Sequence, residues 1–478
     1  MRPLIITSGG APCNVITQYK EEIKRMSNCI LLDTSKADVG ELGPIRENNP
    51  GYLILHEGIN DDPYISATGI AEGLSFSEIR GDKNQVADMG RKGMHRKKEN
   101  FVLAFAMDSK LGMIDRIWKT IEDQKLNRTI DVVMFIAGLG GGTGSGSING
   151  IASRYYESQD ERKERTGAKH IVVGIIPSTN ETDTYKERLG FNTVWALYEL
   201  MRPIYRPNPL ILLDNNVMEP GETRPKKPVM EVISMLCDWR PHLDAGNFLD
   251  KYQASKIGGK VMAPYYASIS KPHLSDISQE DIDSSLLNFV PDEKMINSYE
   301  NSTGRWFMSI NKRDLELGKQ KIIDGDSATG GIYILTKGIT KDLRNYLRDE
   351  MCKILEINKE SDIVLGEPLL GKPRKASFMI MTMFDSPLEL SRIKNLVYDI
   401  ERQLSDKEMG LNLDNEFRDI KVSNTNNVVK NYVKAMIKDL TENLETPEKL
   451  FKYDINFLDN QFRLVKYEEK KNYISQAA

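Results

Sequence analysis

Residues 131–153 read DVVMFIAGLGGGTGSGSINGIAS. A short apolar run, Val132 to Ala137, leads into six glycines within the nine residues from Gly138 to Gly146, and small residues that can enter a helix follow. Strand, glycine turn and helix start are the grammar of a phosphate-binding loop. Glycines let the backbone approach a ligand and adopt positive φ without a Cβ clash. The N–H groups, together with the positive end of the following helix, then face an anion. Thr143 and Ser145 add hydroxyl donors. A P-loop would need Lys then Ser/Thr after its last glycine, and no lysine lies between Gly138 and Asn149. The dinucleotide fingerprint G-x-G-x-x-G has no match in this run. A flexible linker would not be bracketed by an apolar strand and a helix.

The heptapeptide GGGTGSG, Gly140 to Gly146, resembles the signature loop of the tubulin/FtsZ superfamily of GTPases. The resemblance implies an α/β fold: a Rossmann-like parallel-sheet GTPase domain, a central helix, a second and smaller α/β domain with a mixed sheet, and here a helical C-terminal tail. It places the domains at 1–225, 226–256 (central helix and catalytic loop), 257–405 and 406–478. It also implies GTP as the ligand, with Mg²⁺ between its phosphates.

Working outward, further segments follow in the family's order. Leu4 to Thr7 is a buried-type strand that runs into Ser8-Gly9-Gly10 and a helix from Pro12 or Asn14. A glycine pair at such a junction is either a tight turn or a phosphate contact. GGAPCN looks like tubulin's first loop, which assigns Gly9, Gly10, Cys13 and Asn14 to the nucleotide. Asn28 to Leu32 is a second strand ending in Asp33-Thr34. A carboxylate there can bond a ribose hydroxyl or cap a helix. The resemblance favours the nucleotide for Asp33 and Thr34, and for Gly138, Gly140, Gly141, Gly142, Thr143, Gly144, Ser145 and Gly146. A third nucleotide loop is expected within 80–98, beside a basic run that otherwise reads as a solvated face. HIVVGIIP (170–177) is a further strand, and STNETDTYKE after it resembles tubulin's ribose loop, with Asp183 and Glu187 in the matching places. Asp183 or Thr184 would equally cap the helix 185–201. PLILLDNN (209–216) is a strand whose Asn215, and less firmly Asn216, stands where the family reads guanine. An amide carries both a donor and an acceptor and can match a purine edge. Without the resemblance, Asp-Asn-Asn after a strand is a turn.

Two prolines and a glycine in 217–227 push the central helix to 228–240. In PHLDAGNFLDKYQ (241–253), Asn247 and Asp250 align with the family's acidic catalytic loop, with Asp244 as the fallback. A carboxylate can activate, and an amide orient, a water for attack on a γ-phosphate. A helix-capping loop is the plain alternative. Strands are expected at 306–310, 331–336 and 377–384, and helices at 340–356, 387–404 and 425–446. The tail either packs back on the body or binds a partner.

Composition excludes several classes. The chain has 478 residues, net charge −4, 40% apolar and 28% charged residues, an ordinary globular balance that does not call for nucleic acid or a membrane surface. Cys13, Cys29, Cys237 and Cys352 form no C-x-x-C pair and read as reduced cytosolic thiols. Five histidines lie far apart, so metal or triad catalysis has no support and no protein-held metal is assigned. The opening MRPLIITSGG is too short in its apolar part for a signal peptide, and a cytoplasmic location is expected. The loops fit neither eukaryotic tubulin nor bacterial FtsZ closely. That divergence and the polar tail resemble the TubZ branch, plasmid- or phage-borne filaments that segregate DNA. The resemblance therefore implies head-to-tail self-assembly and a DNA-binding adaptor engaged through the tail.

Overall fold

The computed structural model describes residues 4–18, 28–33, 52–54, 132–146, 148, 169–178, 183–201, 209–215, 226–238, 260–291, 303–324, 332–357, 363–366, 375–405 and 425–450. The apolar runs become strands: β1 (Leu4–Ser8), β2 (Asn28–Asp33), β3 (Tyr52–Ile54), β4 (Val132–Gly138), β5 (Lys169–Ile176) and β6 (Leu210–Asp214). All are parallel, in the order β6-β5-β4-β1-β2-β3. Every residue of β1 and β6 is buried, as expected of continuous apolar strands covered on both faces.

The strand period of two sorts side chains to two layers. Leu4, Ile6, Val133, Phe135 and Val172 face one side. There they pack with α2 (Asp183–Leu200), α7 (Ser391–Ser405) and α8 (Thr425–Glu442). Ile5, Met134, Ile136, Ile171 and Val173 face the other side, against α1 (Gly10–Gln18) and α3 (Lys226–Asp238). Each such fully buried aliphatic side chain contributes about 1.5–3 kcal/mol. The central helix α3 starts two residues earlier than the prolines suggested. Pro228 sits in its first turn, where a missing N–H leaves no helical bond unmade.

The sheet continues without a break into the second half of the chain. β7 (Val261–Ile269) joins β6 in parallel through two residue pairs, Leu210↔Val261 and Ile211↔Met262. On its other side β7 pairs antiparallel with β11 (Ala376–Phe384) along the whole of both nine-residue strands. β9 (Ile332–Lys337) and β10 (Ile363–Leu365) complete that end. Helices α4 (Gln279–Leu286), α5 (Lys312–Asp324) and α6 (Lys341–Ile354) lie in this half.

β7 holds Pro264 in its interior, which a central strand ordinarily forbids. The position is tolerable because β7 changes partner there. Val261 and Met262 pair with β6, while Tyr265 to Ala267 pair with β8 (Gly304–Trp306). The Pro264 carbonyl accepts from the Phe307 N–H at 2.8 Å, so proline's missing donor faces the gap between the two partners. The strand expected at 306–310 is corrected by the same feature: β8 ends at Trp306. Phe307 then serves as a bracket, its N–H on Pro264 and its carbonyl accepting from the Asp214 N–H at 2.6 Å.

Of the two fates weighed for the tail, the described part packs back. Met436, Ile437 and Leu440 of α8 enter the core with α2 and α7. The Tyr198 hydroxyl donates to Asp439 Oδ2 at 2.6 Å, and Asn443 Nδ2 donates to Asp439 Oδ1 at 3.0 Å. Residues 451–478 lie outside the described residues.

Candidate functional site

Four parallel strands bring their C-terminal ends to one edge of the sheet, the place where open α/β sheets bind ligands. β1 delivers Gly9 and Gly10, β4 delivers Gly138 to Gly146, β5 delivers Pro177 and Ser178, and β6 delivers Asp214 and Asn215.

The two glycine loops interlock backbone to backbone. Gly9 has φ +86°, and a Cβ there would stand 3.1 Å from the Gly144 nitrogen. A Cβ on Gly144 would stand 2.3 Å from the Gly138 oxygen, 2.9 Å from the Gly138 nitrogen and 3.0 Å from the Ser8 oxygen. These contacts give the sequence its reason for glycine at 9 and 144, independent of any ligand. The Leu139 N–H donates to the Ile175 carbonyl at 2.8 Å and ties the loop to β5. Residues 142–146 turn helical, and the first helical bond runs from the Ser145 N–H to the Gly141 carbonyl at 3.2 Å. The amide groups ahead of such a bond point out of the helix N-terminus, which suits an anion.

Two side chains that the resemblance assigns to the nucleotide are fully buried. Ser145 is fully buried, and its hydroxyl donates to the Gly141 carbonyl and, at 3.4 Å, to the Gly142 carbonyl. These bonds brace the loop. Cys13 is also fully buried, with Sγ 3.3 Å from Thr7 Oγ1, and seats α1 beneath the first loop. Thr143 is buried at 7% exposure. Gly138, Gly141 and Gly146 keep partial exposure, while Gly140, Gly142 and Gly144 are buried. The open side of the loop is thus made of backbone.

At the other end of the edge, the Asn215 N–H donates to the Ile176 carbonyl at 2.9 Å, and Asn215 is half-buried. The preceding Asp214 is not a ligand-facing group. Its side chain is fully buried and its Oδ2 accepts from Ser309 Oγ at 2.5 Å and Arg392 Nε at 3.3 Å. Arg392 Nη2 donates to the Pro177 carbonyl at 3.1 Å.

Sequence reasoning missed Arg392 and Ser309, which lie far along the chain from the strand ends they hold. It also missed Asn192 of α2, whose Nδ2 donates to the Gly140 carbonyl at 2.8 Å. Asn192 carried a readable signal: a polar residue within the apolar helix LGFNTVWALY must find a buried partner.

The backbones of Asn14, Asp33, Asp183 and Glu187 are placed at the ends of their elements or within them, but their side chains lie outside the described residues. Thr34, Asn216, Asp244, Asn247, Asp250 and the segment 80–98 also lie outside the described residues. Among the described residues no group of three or more His, Cys, Asp or Glu is placed to hold a metal. No helix among them is long and apolar enough to cross a membrane.

No protein-family model matches the sequence, and no curated protein is similar to it. Solved structures are similar in fold. CetZ1 from Haloferax volcanii, a GDP-bound monomer, superposes with TM-score 0.53 at 16% identity, covering 85% of this chain and 100% of that one. CetZ2 from the same organism, a GTPγS-bound protofilament, gives 0.52 at 14% identity over 84% and 100%. CetZ from Methanosaeta thermophila gives 0.51 at 13% identity over 85% and 94%. The chain has the mixed α/β architecture of the tubulin/FtsZ fold.

Proposed function

We propose that the protein binds GTP at this strand-end edge and hydrolyses it while polymerising head to tail. The interlocked glycine loops carry the reading. They present a backbone surface at a helix N-terminus, at the sheet edge, in a fold shared with a GDP-bound monomer and a GTPγS-bound protofilament. The phosphates lie along Gly138 to Gly146 and against Gly9 and Gly10. The ribose lies toward Asp33, Thr34 and the Asp183–Glu187 segment, and the guanine edge meets the Asn215 amide. Among the described residues no group of three or more His, Cys, Asp or Glu is placed to hold a metal, so a Mg²⁺ ion would be held largely by phosphate oxygens and water, where it would neutralise phosphate charge.

The catalytic group comes from a second subunit. Its Asp250 accepts a proton from water as the water oxygen attacks the γ-phosphorus, and Asn247 orients that water. The bond from the γ-phosphorus to the bridging oxygen breaks, leaving GDP and phosphate. A head-to-tail contact is heterologous and does not close, so it grows a filament. The GTP-binding domain ends at 225 and the second α/β domain starts at 257, the protein acts in the cytoplasm, and its role is a TubZ-type one in plasmid or phage DNA segregation. The segregation role is supported by the departures of the loops from tubulin and FtsZ. Residues 451–478 would be the segment that meets a DNA-binding adaptor.

The test is light scattering with phosphate release, GTP against ATP, across protein concentration. Scattering and turnover that rise together with GTP above a critical concentration support a shared active site. GTP binding without either result supports a non-polymerising regulator. The Asp250→Ala variant should assemble with GTP and lose most of its turnover; normal turnover would remove Asp250 from the mechanism.

A further inference from the structure

We infer that Arg392 is a positioning residue for the base end of the nucleotide site, an inference that rests on the site proposed above. It stands at the start of α7, more than two hundred residues from the first glycine loop, yet its guanidinium spans two strand ends. One nitrogen, Nη2, holds the Pro177 carbonyl at 3.1 Å, where the chain leaves β5. Another, Nε, holds Asp214 Oδ2 at 3.3 Å, where the chain leaves β6. The next residues along the two strands are Ser178 and Asn215. The same cation therefore fixes the spacing between the ribose-side loop and the amide that reads the base.

The arrangement is built, not incidental. Arg392 is 13% exposed at its side chain and Asp214 is 0% exposed. Ser309 supplies a second donor to the same carboxylate oxygen. The residue before Arg392 is anchored as well: the Ser391 N–H and Oγ donate to Asp314 Oδ1 at 3.0 and 2.6 Å. Asp314 is fully buried, and Asn311 Oδ1 accepts from its N–H at 2.9 Å. The start of α7 is thereby set before the guanidinium reaches the strand ends. A planar fork can bridge a carboxylate and a carbonyl together, whereas a lysine ammonium supplies the charge without that fork.

The experiment compares GDP and ADP binding to wild-type protein and to Arg392→Lys, Arg392→Gln and Asp214→Asn, alongside thermal unfolding without ligand. Arg392→Lys keeps a cation beside the buried carboxylate, so it should unfold near the wild-type temperature. Its GDP affinity should fall about tenfold while its ADP affinity changes less than about twofold, so that guanine selectivity drops at least about fivefold. Arg392→Gln combined with Asp214→Asn should lose no more selectivity than either change alone, because both act on one bridge. Equal loss for GDP and ADP, or wild-type selectivity in Arg392→Lys, would overturn the inference while leaving the nucleotide site intact. A wild-type protein with no preference for GDP over ADP would overturn the site assignment and this inference together.

Discussion

Changing Gly144 to alanine tests whether the two glycine loops are shaped by each other or only by a ligand. The added Cβ would stand 2.3 Å from the Gly138 oxygen, whereas ordinary contact begins at 3.4 Å. The loop must therefore open by roughly 1 Å, and overpacking of this kind costs about 1–3 kcal/mol. All three nearest atoms belong to backbone, at Gly138 and Ser8, so no side chain can swing aside and the upper end applies. A loss of about 3 kcal/mol should lower the ligand-free unfolding temperature by about 3 °C, since unfolding 478 residues carries an entropy of about 1 kcal/mol/K. It should also weaken GDP binding at least tenfold, since the displaced loop is the phosphate surface proposed here. Gly141→Ala is the matched control. Its Cβ would meet only the Gly138 oxygen, at 3.9 Å, so the ligand-free unfolding temperature should stay within about 1 °C of wild type. Any loss of GDP affinity in that variant reports a ligand against the open side of the loop. Scanning calorimetry and titration calorimetry on the two purified variants give both readings. A Gly144→Ala protein that melts and binds as wild type would refute the interlocked-backbone argument.

Two further outcomes follow from buried polar groups. Tyr198→Phe removes the 2.6 Å bond to Asp439 and leaves a buried carboxylate with one donor fewer, at a cost of about 1.5–3 kcal/mol; α8 should then be cut sooner in limited proteolysis, and an unchanged digestion pattern would count against the docking. Burial, and secondarily the charge of Glu231, push the Tyr266 hydroxyl up to about 12 from 10.0. The folded protein keeps this proton to higher pH than the unfolded chain, so its contribution is complete below pH 10 and is lost as pH rises to about 12. Tyr266→Phe should flatten the alkaline fall in stability by up to roughly 3 kcal/mol, and a curve parallel to wild type over that window would contradict it.

The parallel half was legible because strand periodicity and glycine punctuation are local signals. Val132 to Gly146 announces a strand and a loop within fifteen residues, and β1, β5 and β6 end within two residues of the places their apolar runs suggest. β7 was not legible. Pro264 argues against a central strand unless the change of partner from β6 to β8 is known, and pairing is not a local property. Trp306 to Ile310 is apolar enough to look like a strand, but its use is to bracket Pro264 and Asp214. In the site, residue types that must be glycine were readable, and the burial of Ser145 and Cys13 was not. A hydroxyl beside a phosphate-type loop can face the ligand or its own helical turn, and only the fold shows that Ser145 turns inward. Arg392 gave no signal because its partners come from other parts of the chain.

The narrow join between β6 and β7 bears on how the molecule carries force. Two residue pairs link those strands, against a ladder running the full nine residues between β7 and β11. Under tension, load is shared among the hydrogen bonds of a ladder, so the shortest one yields first. The bracket from Phe307 crosses the same line, with bonds to Asp214 on one side and Pro264 on the other, and reinforces it. Pulled from its two ends in a single-molecule experiment, the sheet should part between β6 and β7 and leave β7–β11 whole. The yielding line runs past Asp214 and Asn215, so stretching the subunit would loosen the strand ends where the base is proposed to sit.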